Sequence, residues 1–356
     1  MAKRPLVVFI TPQAANIREY YRPRTEAPST REDFEAVFEA AGLDYEIIPP
    51  MRWPWNPFGR MHGAFEGLDP LRGLWLLFAR RRAAVVLSYS ESPPLIPLWL
   101  RRLFFFKPPI VMYEISWSVG WAYREWLARQ TIPRADHVVV HGRNQIGLLH
   151  QTHPRLPPVE FQPVSTDVVF FSPRPATGEP RGILSVGLDH GRDFDLLLQA
   201  TQGMDVPVRI KGGRKKIPFD AAAHPNVELI EKFLQPVDFR QMYADAAIVA
   251  ITTFSTPNAC GVTSLLEAMA MEKPIIVSDN PALRDYFPPP DACVIVPIGD
   301  RDALRAAIER LLADPAAAAA MARRGREYLL AQNNPVQCYE RMAALMWRLA
   351  KAAGTA

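Results

Sequence analysis

The stretch NACGVTSLLEAMAMEKPIIVSD, Asn258–Asp279, holds a glycine, a run of helix formers and a lysine–proline pair leading into β-branched residues. We read a helix starting near Gly261 and a strand over Pro274–Asp279. A further strand, AIVAI (Ala247–Ile251), lies upstream. Strand, apolar helix, strand is the repeating unit of a parallel sheet covered on both faces. One residue resists this reading. Glu267 sits among Leu265, Leu266, Ala268, Met269, Ala270 and Met271. A carboxylate in such a setting is costly to desolvate unless it has a partner. It is either a satisfied structural acid or part of a site, and spacing alone leaves both open.

The same alternation fills the rest of the chain. The first half offers LVVFI (Leu6–Ile10), YEII (Tyr45–Ile48), AVVL (Ala84–Leu87), IVMY (Ile110–Tyr113) and HVVV (His137–Val140). Between them, a helical pattern begins at Ser29-Thr30-Arg31-Glu32, a capping-box arrangement, and stops at Gly42. Another opens on Asp69-Pro70, an N-cap followed by an N1 proline. The proline- and glycine-rich stretch Phe171–Gly182 reads as a linker. Strands then resume as ILSVG (Ile183–Gly187), VPVRI (Val206–Ile210), VELI (Val227–Ile230), the two already named, and CVIV (Cys293–Val296). Helices follow from about Arg301, Ala316 and Val336. We therefore expect an α/β chain of two Rossmann-like, doubly wound parallel-sheet domains over residues 1–172 and 173–332. Residues 333–356 form a last helix expected to pack back on the first domain.

Composition sets bounds on function. Apolar residues make up 49 % of the chain, enough for two buried cores. No apolar run approaches the roughly 18–20 residues needed to span a bilayer, and no secretory signal is read, so a cytoplasmic location is expected. Cys260, Cys293 and Cys338 are too widely spaced for a zinc motif and read as reduced, at least partly buried thiols. The net charge of +4 lies wholly in the first half, with 20 basic and 16 acidic residues up to Ser172 against 21 of each after it. That half is expected to meet something anionic, such as a phosphorylated acceptor or a lipid surface.

Ligands of open α/β sheets bind beyond the carboxyl ends of the strands, and two facing domains would form a cleft there. The helix after AIVAI fits such a site. Amide groups of Val262, Thr263 and Ser264 at its start would attract an anion, and the Thr263 and Ser264 hydroxyls add donors. Glu267 lies on the same face one turn, ~5 Å, further along. Phosphate and ribose of a nucleoside diphosphate have that separation, and a carboxylate accepts two hydroxyl hydrogens.

At this point the sequence resembles the retaining GT-B glycosyltransferases of family 4. GVTSLLEAMAMEKPIIVSD is similar to their signature. SVGLDHGRDFDLLLQA, HPNVELIEKFLQPVDFRQMYADAAIVAI and VPIGDRDALRAAIERLLADP resemble the segments around it, and VVVHGRNQIGLLHQTHP and PVSTDVVFFSP resemble the end of the first domain. The resemblance implies a donor-binding second domain and an acceptor-side first domain. It also implies transfer of a sugar from a nucleoside-diphosphate sugar to the hydroxyl of a glycan, lipid or small molecule, with no cofactor and no metal called for. By position, Glu267 would hold the donor ribose, and Gly261, Val262, Thr263 and Ser264 would cradle the diphosphate. Arg192 and Lys211 would neutralise phosphate charge, and Phe233 would lie at the base. A solvated helix-start arginine and a solvated basic turn are the plain alternatives for Arg192 and Lys211.

Two departures from the family pattern stand out. The earlier glutamate, eight positions before Glu267, is replaced by Ala259, beside which Asn258 offers hydrogen bonds to sugar hydroxyls. The glycine-rich loop after the first strand is replaced by FITPQAANIREYYR. In the first half, Glu114 follows a strand and is either catalytic or a helix cap. His141 also follows a strand and is either near the donor or a satisfied surface residue. The segment Pro94–Pro109 mixes Trp99 and three phenylalanines with Arg101, Arg102 and Lys107, as does Met51–Arg60 on a smaller scale. It reads as peripheral membrane contact or as a sheet-covering helix with snorkelling arginines. Nucleic-acid binding finds no support in the charge pattern. Two rival functions share the architecture, a sugar-nucleotide epimerase and a non-catalytic nucleotide-sugar-binding protein.

Overall fold

The computed structural model describes residues 4–10, 30–48, 70–79, 82–89, 92–113, 122–187, 189–212, 220, 222–232 and 234–355. Glu114, Phe233, and the stretches 11–22, 51–60 and 213–216 lie outside these described residues.

Twelve strands are described: β1 (Leu6–Ile10), β2 (Asp44–Ile48), β3 (Val85–Ser88), β4 (Ile110–Tyr113), β5 (His137–Val140), β6 (Val159–Phe161), β7 (Ile183–Val186), β8 (Val208–Lys211), β9 (Val227–Ile230), β10 (Ile248–Ile251), β11 (Ile275–Ser278) and β12 (Val294–Val296). The α-helices are α1 (Thr30–Ala40), α2 (Pro70–Ala79), α3 (Leu95–Leu100), α4 (Ala122–Thr131), α5 (Arg143–Thr152), α6 (Phe194–Thr201), α7 (Pro236–Asp245), α8 (Val262–Ala270), α9 (Arg301–Ala313), α10 (Pro315–Gln332) and α11 (Pro335–Ala353).

The strands form two all-parallel six-stranded sheets, ordered β2-β1-β3-β4-β5-β6 and β12-β11-β10-β7-β8-β9. Every residue of β3, β4, β5, β7, β10 and β11 is buried, because helices cover both faces of the inner strands. The edge strands β2, β6, β9 and β12 are only partly buried. Strand β6 was not expected from the sequence. It has three residues, each half-buried, too short for a periodic signal.

The chain divides into two compact units, one including residues 31–162 and 338 onward, the other including 163–337. Residues 163–172, assigned above to the first domain, therefore belong with the second. Phe170 receives Arg240 at its carbonyl, 2.9 Å, and Phe171 packs edge-on to Phe239 and Tyr243. The Phe171–Gly182 stretch contains no helix or strand. In the first unit, Met342, Ala343, Leu345, Met346 and Ala350 of α11 complete the core of Val7, Phe9, Phe38 and Val85. Trp347 pins the helix by donating to the Ala41 carbonyl at 2.5 Å.

Met346 is fully buried in that core. Met346→Ala is expected to cost about 2–5 kcal/mol. Hydrogen exchange should show β1 and β3 losing protection while β7 and β10 keep theirs; equal loss in both sheets would refute independent opening of the units.

Candidate functional site

Counted from β7, the second sheet runs in the order 3-2-1-4-5-6, so its topological switch point falls between β7 and β10. The loops leaving these two strands are laced together. Arg192 and Thr253 form an antiparallel bridge. The Asp193 amide donates to the Thr252 carbonyl at 2.9 Å, the Phe254 amide to Gly191 at 2.9 Å, and the Thr252 hydroxyl to the Asp193 carbonyl at 2.5 Å. Asp193 also caps α6 by accepting from the Leu196 amide at 3.0 Å. Asn280 closes the lattice from β11, donating to Thr253 Oγ1 at 3.2 Å and the Phe254 carbonyl at 3.0 Å.

This lacing holds Arg192 inward, only 5 % exposed. Its Nη2 donates to the Val186 carbonyl, while Nε and Nη1 have no hydrogen-bond partner among the described residues. Burial pushes its pKa down, opposed by Asp189 nearby, yet a guanidinium stays charged across the ordinary pH range. Two glycines make its place. A Cβ at Gly187 would lie 2.4 Å from Nε, and one at Gly261 would lie 2.4 Å from Nη1. Gly261 also takes φ +89°, left-handed backbone that other residues adopt at a cost. The space expected to admit a ligand at Gly261 is thus filled by the arginine.

Helix α8 begins directly after this glycine. The Val262 amide, expected to be free, donates to the Ala259 carbonyl at 3.0 Å. Amides of Thr263 and Ser264 belong to the first turn, which has no intrahelical acceptors. The Ser264 hydroxyl turns inward onto the Val186 carbonyl at 3.0 Å, whereas Thr263 is exposed. One turn deeper, Glu267 is 8 % exposed and its Oε2 accepts the Tyr243 hydroxyl at 2.6 Å. Burial raises the Glu267 pKa to about 7, and the Tyr243 hydrogen bond partly offsets this. Burial and the neighbouring carboxylate together push Tyr243 well above its usual range.

Lys211 ends β8 with its ammonium on the Gly212 carbonyl at 3.2 Å, and the residue is 9 % exposed. Asn258 lies in the loop before α8, its carbonyl accepting from the Cys260 amide and the Thr256 hydroxyl. Arg192, Gly261 and Ser264 therefore meet at the ends of β7 and β10, Glu267 lies one turn deeper in α8 against Tyr243, and Lys211 ends the neighbouring strand β8. His141 belongs to the first unit and is buried, its Nδ1 2.7 Å from the Gln162 carbonyl. Burial lowers its pKa, so it is neutral near pH 7. Tyr243 is the residue the sequence reading missed. It contacts Glu267 across 24 positions, with no local pattern linking them. Cys260 is half-buried and Cys293 and Cys338 are buried, all free thiols. Among the described residues, no cluster of three His, Cys, Asp or Glu is placed to hold a metal, and no helix is long and apolar enough to cross a membrane.

Residues 194–344 match a family model described as Glycosyl transferase-like. No curated protein matches the sequence. Among solved structures, a sucrose-phosphate synthase from Thermosynechococcus elongatus superposes with a TM-score of 0.71 at 18 % identity, covering 98 % of this chain and 100 % of the other. Anabaena HepE in complex with UDP-glucose gives 0.65 at 14 %, covering 96 % and 99 %. WaaG, a glycosyltransferase involved in lipopolysaccharide biosynthesis, gives 0.61 at 13 %, covering 96 % and 99 %. At these identities the likeness establishes the fold, which is GT-B.

Glu267 generates a pH prediction. Between about 4.5 and about 7 the folded chain keeps a proton that the unfolded chain has released, so stability falls as pH rises through that window. Glu267→Gln cannot titrate and should flatten the profile, by at most about 1.4 kcal/mol per pH unit. Denaturant unfolding at several pH values checks this, and parallel profiles for the two proteins would refute it.

Proposed function

We propose that the chain is a glycosyltransferase moving a sugar, with retention, from a nucleoside-diphosphate sugar to an acceptor hydroxyl. The observation that carries the reading is the Arg192 guanidinium, buried beside the first turn of α8 with two nitrogens lacking an acceptor among the described residues. A buried cation with open donors is a preorganised site for an oxyanion. The match of residues 194–344 to the family model supports it, as do the HepE structures, which are described in complex with UDP, with UDP and glucose, and with UDP-glucose.

In this reading the bond from the anomeric carbon to the diphosphate breaks, and the acceptor oxygen takes its place on the same face. Negative charge grows on the departing phosphate. Arg192, the first-turn amides of α8 and Lys211 stabilise it, and a phosphate oxygen takes the acceptor proton. Glu267 accepts the ribose hydroxyls. Hydroxyl hydrogens donated by the ligand favour the ionised form of a carboxylate whose burial favours protonation, so nucleotide binding should release a proton below about pH 7. The reaction is placed in the cytoplasm. The acceptor is a hydroxyl on a glycan, lipid or small molecule.

Titration of nucleoside diphosphates, starting with UDP, is the test. Glu267→Ala should weaken UDP binding by about 1.5–3 kcal/mol, the worth of hydrogen bonds to a charged group. Arg192→Gln should abolish most of the preference for UDP over uridine and lower transfer about a hundredfold or more. Unchanged UDP affinity in both variants would overturn the assignment. Conversion of a sugar nucleotide without any acceptor would favour an epimerase instead.

A further inference from the structure

Three large apolar side chains of the first unit, Trp99, Leu103 and Phe105, are 55, 71 and 83 % exposed. They belong to α3 and the turn that follows it, and that turn is firmly built. Phe106 is buried in the core beneath, and its amide donates to the Arg101 carbonyl at 2.8 Å. The Arg101 guanidinium grips Asp136 with two bonds of 2.7 and 3.2 Å, and the same carboxylate accepts the Ile110 amide at 2.8 Å. Anchored at both ends, the turn holds Leu103 and Phe105 outward. Phe105 takes φ +52°, left-handed backbone that a bulky side chain disfavours. Neither burial nor backbone preference explains a phenylalanine there, and the isolated fold would accept glycine or asparagine more readily.

The apolar surface extends beyond the turn. Phe78 of α2, also more than half exposed, packs edge-on to Phe104 at 5.2 Å, and Arg134 lies 4.8 Å over the Trp99 ring. Residues 99–107 carry three basic side chains and no acidic one. Arg101 is engaged by Asp136, leaving exposed Arg102 and Lys107 on either side of the projecting tips. The tips of Leu103 and Phe105 stand proud of the turn, a shape suited to a medium they can enter. Aromatic and aliphatic tips flanked by positive charge match an anionic bilayer, acyl chains below and phosphates at the rim.

We infer that this surface docks on an anionic lipid membrane, with Leu103 and Phe105 inserted and Arg102 and Lys107 on the headgroups. The inference stands apart from the sugar-transfer reading, since it needs no nucleotide. Co-sedimentation of the full chain with phosphatidylcholine vesicles, with and without phosphatidylglycerol, tests it. The chain should pellet with the phosphatidylglycerol vesicles, and less so at high salt. Leu103→Ser with Phe105→Ser should lower binding about tenfold or more while circular dichroism and Tm stay unchanged. Arg102→Ala and Lys107→Ala should each lower it about fivefold at low salt. Failure to pellet with anionic vesicles, or a double variant that pellets as well as the native chain, would overturn the proposal. So would a concentration-dependent dimer abolished by Phe105→Ser without vesicle binding, which would assign the surface to a second copy.

Discussion

A guanidinium held out of water, with two of its nitrogens lacking a hydrogen-bond partner among the described residues, is the constraint on which the second unit's site depends. Desolvating a cation is costly, and one backbone carbonyl offsets only part of that. Much of the local structure reads as what is needed to keep Arg192 where it is. Gly187 and Gly261 leave it room, the bridge between Arg192 and Thr253 fixes its backbone, and Asp193 ties the loop to α6. Ser264 shares the Val186 carbonyl with it, which links the loop after β7 to the first turn of α8. Any side chain at Gly261 would meet both a forbidding φ and the arginine itself.

Glu267 gives this arrangement its direction. A buried arginine and a buried glutamate in one domain would satisfy each other most simply as an ion pair, leaving nothing for a ligand. Here the glutamate is one turn deeper, hydrogen-bonded to Tyr243, while two nitrogens of the arginine have no partner among the described residues. Tyr243 is therefore more than core filler. By occupying one carboxylate oxygen it fixes the Glu267 rotamer and keeps its charge accessible near neutral pH, against the burial that favours the protonated form. Separated opposite charges, each incompletely satisfied, are what a ligand carrying both an anion and hydroxyl donors would complete.

Much of this was legible in the sequence because parallel inner strands are continuous apolar runs, and these runs sit where strands were read. The short edge strand β6 was not, since three half-buried residues carry no period. The helix after Gly261 and its lone acid were visible from local pattern alone. Three site features were not. Tyr243 of α7 meets Glu267 of α8 through a side-chain hydrogen bond across 24 positions, the glycine at 261 yields its space to a side chain from another loop, and the Val262 amide is consumed by a turn over Ala259. Each depends on loops brought together by sheet order, and no spacing rule within one segment reports it. The division of the chain near Gln162, ahead of the proline-rich stretch, has the same origin: Phe170 and Phe171 join the second unit through α7.

Arg192 and Phe105 share a logic despite lying in different units. Folding places one charge where water cannot reach it, and one aromatic ring where water cannot be avoided and the backbone resists. Sequence and structure agree almost everywhere else, with buried strands, capped helices and a glycine at Gly42 where a helix must stop. Departures from that agreement are most informative when they are rigidly held, because a slack segment would relax them. Both are rigidly held, Arg192 by the laced loops and Phe105 by the Asp136 anchor and the buried Phe106. A cost that the fold maintains in two separate places, in opposite senses of polarity, would be removed by two different surroundings, as proposed above: an anion for the guanidinium and an apolar medium for the ring.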